Sequence, residues 1–214
     1  MQNCKQKSQK IFHGPKFHGD LMSLQEVRSR IENMKNDKLR IIAKFQLLTA
    51  CRVSEAVGKY AVRKDDLVFT NYKGNELALF NLRTAKRQGT LRTIALPVNQ
   101  VWLDEIVEYF KNSRGKKVFK YGESSVTHLL ANEFNGLKYF IERYTLKPNY
   151  IAIPRHEREM RSHALRHLRL SELVNVYGFD YLDLATFAGW KMAGMASRYV
   201  TMAWGRYIDK FLKI

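Results

Sequence analysis

Four side chains in the last quarter of the chain have types and spacings suited to phosphoryl transfer. His163 and Arg166 are three residues apart, so on a helix they share one face. Trp190 lies 24 residues beyond Arg166, and Tyr199 lies nine residues beyond Trp190. A tyrosine hydroxyl becomes a nucleophile once a base takes its proton, and a histidine titrates near neutral pH. These residues therefore offer a nucleophile, a base and a cation that could bind an anionic substrate.

Two further cations lie upstream. Arg52 follows an apolar helical stretch, and Lys86 lies in a turn between two predicted strands. Attack on a DNA phosphodiester places negative charge on the phosphate oxygens, which two guanidinium groups, Arg52 and Arg166, can hold bidentately. Lys86 can protonate the leaving 5′ oxygen, and the Trp190 indole N–H is a further donor. We therefore predict metal-free phosphoryl transfer through a covalent phosphotyrosine, which conserves the bond energy.

The sequence indicates no cofactor and no metal ion. It contains no GxxxxGK[ST] loop and no evident carboxylate cage for Mg²⁺. His163 and His167 have the i, i+4 spacing of zinc ligands, but no third ligand is evident. His167 is instead expected to support the catalytic residues without contacting the substrate. Glu55 is expected to orient Arg52 through an ion pair, with an exposed helix face as the alternative interpretation.

Composition indicates an anionic partner. The 214 residues include 37 Lys and Arg against 20 Asp and Glu, a formal net charge of +17, which favours nucleic acid over a membrane surface. Two cysteines exclude a disulfide framework. No run of 18 apolar residues and no N-terminal apolar segment of a secretion signal is present. We expect a soluble protein of the cytoplasm, associated with the nucleoid.

Periodicity predicts an α+β fold, mostly helical, with one small three-stranded antiparallel sheet. Residues 1–20 lack periodicity and are expected to form a basic, poorly structured arm. The predicted strands are 67–72, 76–82 and 91–96. The predicted helices begin at Ser23 (capped by a Ser23–Glu26 box), after Asp37, at Gln100, at Ser124 or Ser125 (reaching about Tyr144), near Ser162, near Asp180 and near Met195. Pro148 and Pro154 bracket an irregular segment.

The order of these residues resembles the catalytic domain of the tyrosine recombinases, the phage-type integrases. The resemblance covers about residues 21–214, and four segments in the family's order carry it. They are Thr49-Ala-Cys-Arg-Val-Ser-Glu55, Thr84-Ala-Lys86 with Arg92 to Pro97, His163-Ala-Leu-Arg-His167, and Gly189-Trp190 with Tyr199 nine residues later. Each segment alone is a weak signal. Four of them in the same order and spacing are a strong one.

The resemblance implies a role for each residue and a recombinase-type fold. Tyr199 would be the nucleophile, carried by a C-terminal helix from about residue 195, and Arg52 and Arg166 would clamp the phosphate. Lys86 would be the acid. His163 would be the base, and Trp190 would be a further hydrogen-bond donor to the phosphate. The expected activity is site-specific cleavage and rejoining of double-stranded DNA, integrating or excising a viral or plasmid element, with a dimer or tetramer assembled on DNA.

The sequence departs from the family pattern at three points. Ala50 stands where the family usually has glycine, and Trp190 stands where many members have histidine. The family's N-terminal core-binding domain is expected to be absent, which puts tight site-specific binding by this chain alone in question. Two other functions remain open at this stage. One is DNA relaxation of the type IB topoisomerase kind, which uses a similar residue set, and the other is a basic DNA-binding protein with architectural function.

The last helical stretch has two interpretations. Five apolar residues at helical spacing follow Tyr199 closely, namely Trp204, Tyr207, Ile208, Phe211 and Leu212. They pack either on the chain's own core or on a neighbouring protomer. A second uncertain segment is the basic run 114–117, which is expected to be a solvated turn, with contacts to phosphates as the alternative.

Overall fold

The chain folds as an α+β protein with helices around a small antiparallel sheet. The structure is a computed structural model, and it describes residues 21–84, 89–141, 156–190, 204 and 207–213. Its elements in chain order are α1 (Leu21–Glu32), α2 (Asp37–Thr49), α3 (Val53–Ala56), β1 (Leu67–Tyr72), β2 (Asn75–Arg83), β3 (Leu91–Pro97), α4 (Leu103–Asn112), α5 (Glu123–Glu133), β4 (Lys138–Ile141), β5 (His156–Glu159), α6 (Ser162–Asn175), α7 (Tyr181–Ala188) and α8 (Ile208–Phe211).

Helix α2 is the central element of the core. Every residue from Ile41 to Ala50 is buried, on all sides of the helix. The helix begins where the Asn36 side chain accepts a hydrogen bond from the Leu39 backbone N–H. It ends at Ala50, which adopts the left-handed conformation at φ 49°. A glycine would adopt that conformation at lower cost.

The three-stranded sheet has the order β1-β2-β3, and both pairings are antiparallel. Lys73 and Gly74, both at positive φ, form the two-residue turn of the β1–β2 hairpin. Three residues of β2 face the core, together with three residues of β3 that lie opposite them. These pairs are Ala78 with Leu96, Phe80 with Ile94, and Leu82 with Arg92. The register therefore directs one arginine, Arg92, into the interior.

Two predictions about helix limits are wrong. Helix α1 begins at Leu21, so Ser23 lies inside the helix and does not cap it. The helix expected to reach about Tyr144 ends at Glu133. A turn follows at Gly136, with φ 78°, and β4 then pairs with β5 in a second, two-stranded sheet that was not predicted. Glycine at positive φ and the β-forming run Tyr-Phe-Ile outweigh the helical periodicity there.

The other predicted strands and helices with described residues are confirmed within a few residues. The largest shift is at α4, which begins at Leu103 because Trp102 adopts φ 72°. The N-terminal arm, the segment between Pro148 and Pro154 and the helix near Met195 lie outside the described residues. No helix in the described part of the chain is long and apolar enough to cross a membrane.

The C-terminal segment packs on this chain's own core. Tyr207, Ile208 and Phe211 are buried, and the Tyr207 hydroxyl accepts a hydrogen bond of 3.0 Å from the Ala95 backbone N–H on β3. Aromatic rings of Phe179 and Phe187 surround Tyr207. For these three residues the first interpretation, packing within the chain, is the one that the structure shows.

Candidate active site

The C-terminal end of α2 presents Arg52 to a buried carboxylate. Arg52 lies between α2 and α3, and its Nη1 donates to Glu55 Oε1 at 2.9 Å. Its backbone N–H donates to Glu55 Oε2 at 3.1 Å, which satisfies one of the free donors at the start of α3. The Arg52 side chain is partly exposed, whereas Glu55 is fully buried. The expected ion pair between Arg52 and Glu55 is present.

A second arginine, which the sequence analysis did not select, shares the same carboxylate. Arg92 on β3 donates from Nη2 to Glu55 Oε2 at 3.1 Å and from Nη1 to the carbonyl of Phe187 on α7. Burial alone would raise the pKa of Glu55. The charges of Arg92 and Arg52, the Arg52 backbone hydrogen bond and the charge of Arg166 outweigh burial and hold that pKa below its ordinary value. Glu55 therefore stays ionised.

Arg166 bridges the ends of two helices. From α6 it donates to the carbonyl of Ala50, at the end of α2, and at 2.8 Å to the carbonyl of Ala188, at the end of α7. The side chain is only 3% exposed. Burial, together with the charges of Arg92 and Arg52, lowers the pKa of Arg166 to about 9. Arg52, Arg92 and Arg166 thus form one electrostatically coupled group around Glu55, which we call the arginine cluster.

The Gly189-Trp190 pair adjoins the arginine cluster through a close backbone contact. Gly189 ends α7 at φ 66°, and the Trp190 N–H donates to the Ala185 carbonyl at 2.8 Å. A Cβ at position 189 would lie 2.6 Å from Arg92 Cδ and 3.0 Å from Thr84 Cγ2. Glycine is therefore required both by its φ angle and by the approach of Arg92. The Trp190 ring is half-buried and lies 6.4 Å from the ring of Tyr181.

His163 and His167 lie on α6 beside Arg166. His163 is exposed in the first turn of the helix, three residues before the buried Arg166. The two imidazole rings meet edge to face, with centroids 4.8 Å apart. His163 therefore has access to solvent or substrate, and His167, half-buried, contacts it from the side of the protein.

The structure places four of the six expected catalytic side chains. Arg52 and Arg166 meet in the arginine cluster, His163 lies one helical turn from Arg166, and Trp190 follows two residues after the Ala188 carbonyl that Arg166 binds. Lys86 and Tyr199 lie outside the described residues. On either side of the segment that contains Lys86, the backbone N–H and the hydroxyl of Thr84 donate to the Thr90 carbonyl.

Arg92 could have been found from the sequence. In the strand Leu91 to Pro97, Arg92 alternates in step with the apolar Ile94 and Leu96, so the three side chains share one face of the sheet. That alternation directs the Arg92 side chain to the buried face of the sheet. A buried arginine requires a partner, and the structure shows that Glu55 is one.

The site offers cationic hydrogen-bond donors rather than metal ligands or a reactive thiol. Within the described part of the chain, no three His, Cys, Asp or Glu side chains are grouped so that they could hold a metal ion. Burial, followed by the charge of Glu55, raises the pKa of Cys51 to about 12, so its thiol stays protonated at neutral pH. What the arrangement can do is bind and stabilise an anion.

Comparisons of the chain with protein-family models, with curated proteins and with solved structures found no match.

Proposed function

We propose that this protein is a DNA strand transferase of the tyrosine recombinase type, with the catalytic fold of that family. It cleaves one strand of double-stranded DNA through a 3′-phosphotyrosine at Tyr199 and rejoins it to a new partner. The expected biological outcome is integration or excision of a mobile element by a dimer or tetramer on DNA. The observation that carries the proposal is the arginine cluster, in which three guanidinium groups surround one carboxylate.

The charge balance of the arginine cluster supports an anionic ligand. Arg52, Arg92 and Arg166 carry three positive charges, and Glu55 supplies one negative charge. Unbalanced charge in a buried site is costly, and the charges of Arg92 and Arg52 add to burial, the larger cause, in lowering the pKa of Arg166. A phosphate that entered the site would offset the excess charge and return the pKa of Arg166 toward its ordinary value. The binding energy available to a phosphodiester is correspondingly large.

Arg52 and Arg166 each retain N–H donors that can be offered to phosphate oxygens. A guanidinium has five N–H donors, and the two backbone carbonyls bound by Arg166 use two of them. Arg52 is partly exposed and uses Nη1 for Glu55. In the proposed reaction these donors stabilise the charge on the non-bridging oxygens, and Trp190 adds an indole N–H. Each donor placed in this way typically contributes ~3 kcal/mol to transition-state stabilisation.

Proton transfer in the proposed reaction uses His163 and Lys86. His163, exposed beside Arg166, takes the proton of the Tyr199 hydroxyl as the oxygen attacks phosphorus. Lys86 gives a proton to the departing 5′ oxygen. The phosphorus–oxygen bond to the sugar is thereby exchanged for a bond to tyrosine, and the reverse steps rejoin the strand. No nucleotide is consumed because the phosphotyrosine conserves the bond.

A nicked suicide substrate tests the nucleophile. Such a substrate releases a short strand after cleavage, so a covalent protein–DNA adduct accumulates. We expect the native chain to form the adduct and Tyr199→Phe to form none while it retains its affinity for duplex DNA. Tyr177→Phe is the matched control, because Tyr177 follows the end of α6 opposite to His163. An adduct from Tyr199→Phe would contradict the proposal.

Two further readouts separate the proposed recombinase from the other two functions. Strand exchange between paired duplexes is expected from a recombinase, whereas supercoil relaxation without exchanged products would indicate a topoisomerase. DNA binding with no adduct from the native chain would indicate an architectural protein. Mapping tyrosine-linked fragments of genomic DNA would identify the target sequence.

A further inference from the structure

A second cationic surface lies at the opposite end of α2 from the arginine cluster. A surface pocket of about 400 Å³ is formed by the start of α2, the end of α4 and the loop that leads to α5. Three cations and two tyrosines account for most of its polar lining, and no described carboxylate lines it. Its lining residues are Lys38, Tyr109, Asn112, Ser113, Arg114, Val118, Lys120 and Tyr121. We call it the α2–α4 pocket.

The cations of the α2–α4 pocket are not neutralised within the described part of the chain. Lys38, Arg114 and Lys120 are exposed, and none of them forms an ion pair with a described residue. The carboxylate nearest in sequence to Lys38 is Asp37, which is paired with Arg40 at 2.8 Å. Three cations around one concave surface repel one another unless an anion lies between them. The pocket therefore favours an anionic ligand.

The loop that carries two of these cations is anchored in the core. Val118 and Phe119 are buried, and the Val118 N–H donates to the Val62 carbonyl at 3.1 Å. The Phe119 ring packs against Phe45 at a centroid distance of 5.5 Å and stacks on Tyr109 at 5.4 Å. The backbone on both sides of the pocket is therefore fixed before a ligand arrives, which reduces the entropy lost on binding.

Tyrosine hydroxyls complete the set of donors. Burial and the neighbouring Tyr121 raise the pKa of Tyr109, so its hydroxyl stays protonated at neutral pH and can donate a hydrogen bond. Lysine, arginine and tyrosine donors are among the groups that contact the phosphates of nucleic acids. The net charge of +17 favours nucleic acid over an isolated small anion as the source of those phosphates.

We infer that the α2–α4 pocket binds the phosphodiester backbone of DNA at a point separate from the arginine cluster. The inference rests on the proposed function for the identity of its partner. Lys38 and Ala50 are twelve residues apart on one helix, which corresponds to about 18 Å. That distance is about five base pairs along B-form DNA. The pocket would add affinity and orientation without taking part in the chemistry.

Paired neutralisations test the pocket. Lys38→Gln with Arg114→Gln removes one lysine and one arginine from the pocket. Arg30→Gln with Lys213→Gln is the matched control, because both residues are exposed, are in no ion pair with a described residue and lie outside the pocket. Affinity for a 30-base-pair duplex of random sequence is measured by fluorescence anisotropy over a range of salt concentrations, and adduct formation is measured in parallel.

We expect the pocket variant to lose about tenfold in affinity at low salt and to reduce the slope of log affinity against log salt by about 1 to 2, one phosphate contact contributing roughly 0.9. The control variant is expected to change affinity less than about twofold, in line with a small loss of long-range attraction. At saturating DNA, both variants should form the adduct at the native rate.

Equal losses of affinity in the two variants, or no loss in either, would overturn the pocket proposal alone. Duplex binding without an adduct from the native chain would overturn the catalytic proposal alone.

Discussion

At the level of single residues, the carboxylate of Glu55 holds the arginine cluster together. It accepts from the side chains of Arg52 and Arg92, and it is fully buried. Removing one member of a buried charge group is costly because the others are left uncompensated. Glu55 is thus a positioning residue, since it sets where the two guanidinium groups lie and touches no substrate atom in the proposed reaction.

Glu55→Gln is predicted to lower the free energy of unfolding by about 3 kcal/mol at pH 7. The pKa of Glu55 is lowered in the folded state, so its contribution is fully present above the unfolded value near 4.5 and is lost as the pH falls through the folded value. The difference between variant and native chain should therefore shrink below pH 4.5. Urea unfolding at pH 7 and at pH 4 measures it.

Glu108→Gln is the control for this prediction, because Glu108 is exposed on α4. It should change stability by less than about 0.5 kcal/mol at either pH. A Glu55→Gln chain as stable as the native one, or one whose deficit stays constant down to pH 4, would contradict the assigned role.

At the level of elements, the end of α7 lies close against β3 at a single glycine, Gly189. Gly189 and Gly178 have nearly the same φ, 66° and 65°. A Cβ on Gly178 would meet nothing within 4 Å, whereas one on Gly189 would overlap the Arg92 side chain. The two positions therefore separate the cost of a left-handed backbone from the cost of steric overlap.

Gly178→Ala is predicted to cost about 1 kcal/mol, the penalty for an L-residue in the left-handed region. Gly189→Ala should cost a further 1 to 3 kcal/mol, since Arg92 or α7 must move to make room. Gly189→Ala alone should also slow adduct formation, because Arg92 and Arg166 both bind carbonyls at the end of α7. Chemical unfolding and the suicide substrate measure the two effects. Equal costs at both glycines would show that the overlap is relieved without strain.

Much of the element order could be predicted because it depends on local pattern. The strands β1 to β3 and the helices α2, α6 and α7 follow from alternation and helical spacing, and the structure adds that Asn36 and Asp180 cap α2 and α7. The pairing of β4 with β5 could not be predicted in this way, since it joins segments separated by more than ten residues.

For the site, the Arg52–Glu55 pair could be predicted from an i, i+3 spacing. The sharing of Glu55 with Arg92 required the register of β2 and β3, which only the folded chain supplies.

At the level of the whole molecule, the C-terminal segment closes the core against the sheet. The Tyr207 hydroxyl accepts from Ala95 on β3, and burial raises the pKa of Tyr207, so the oxygen stays protonated. Phe211 lies against Tyr177, at a centroid distance of 4.7 Å, and so reaches the end of α6. The segment after the proposed nucleophile is thus tied at two points to the elements that carry Arg92 and Arg166.

Tyr207→Phe is predicted to lower the free energy of unfolding by about 1 to 3 kcal/mol, because the buried N–H of Ala95 loses its acceptor. Tyr181→Phe, at an exposed position, should change stability by less than about 0.5 kcal/mol. The loss at Tyr207 should be the same at low and high protein concentration, since the contact is within one chain. Thermal unfolding at several concentrations measures it. A loss that depends on concentration would assign the contact to association between protomers.

The two carbonyls bound by Arg166 also limit how α2 and α7 can move relative to each other. Ala50 ends one helix and Ala188 ends another, and a single planar group holds both. Sliding either helix by the length of a hydrogen bond would release one side of that fork. In the proposed reaction, Arg166 and the helix that precedes Tyr199 in the chain are therefore mechanically linked, and a rearrangement that delivers or withdraws the tyrosine would also change how Arg166 holds the phosphate.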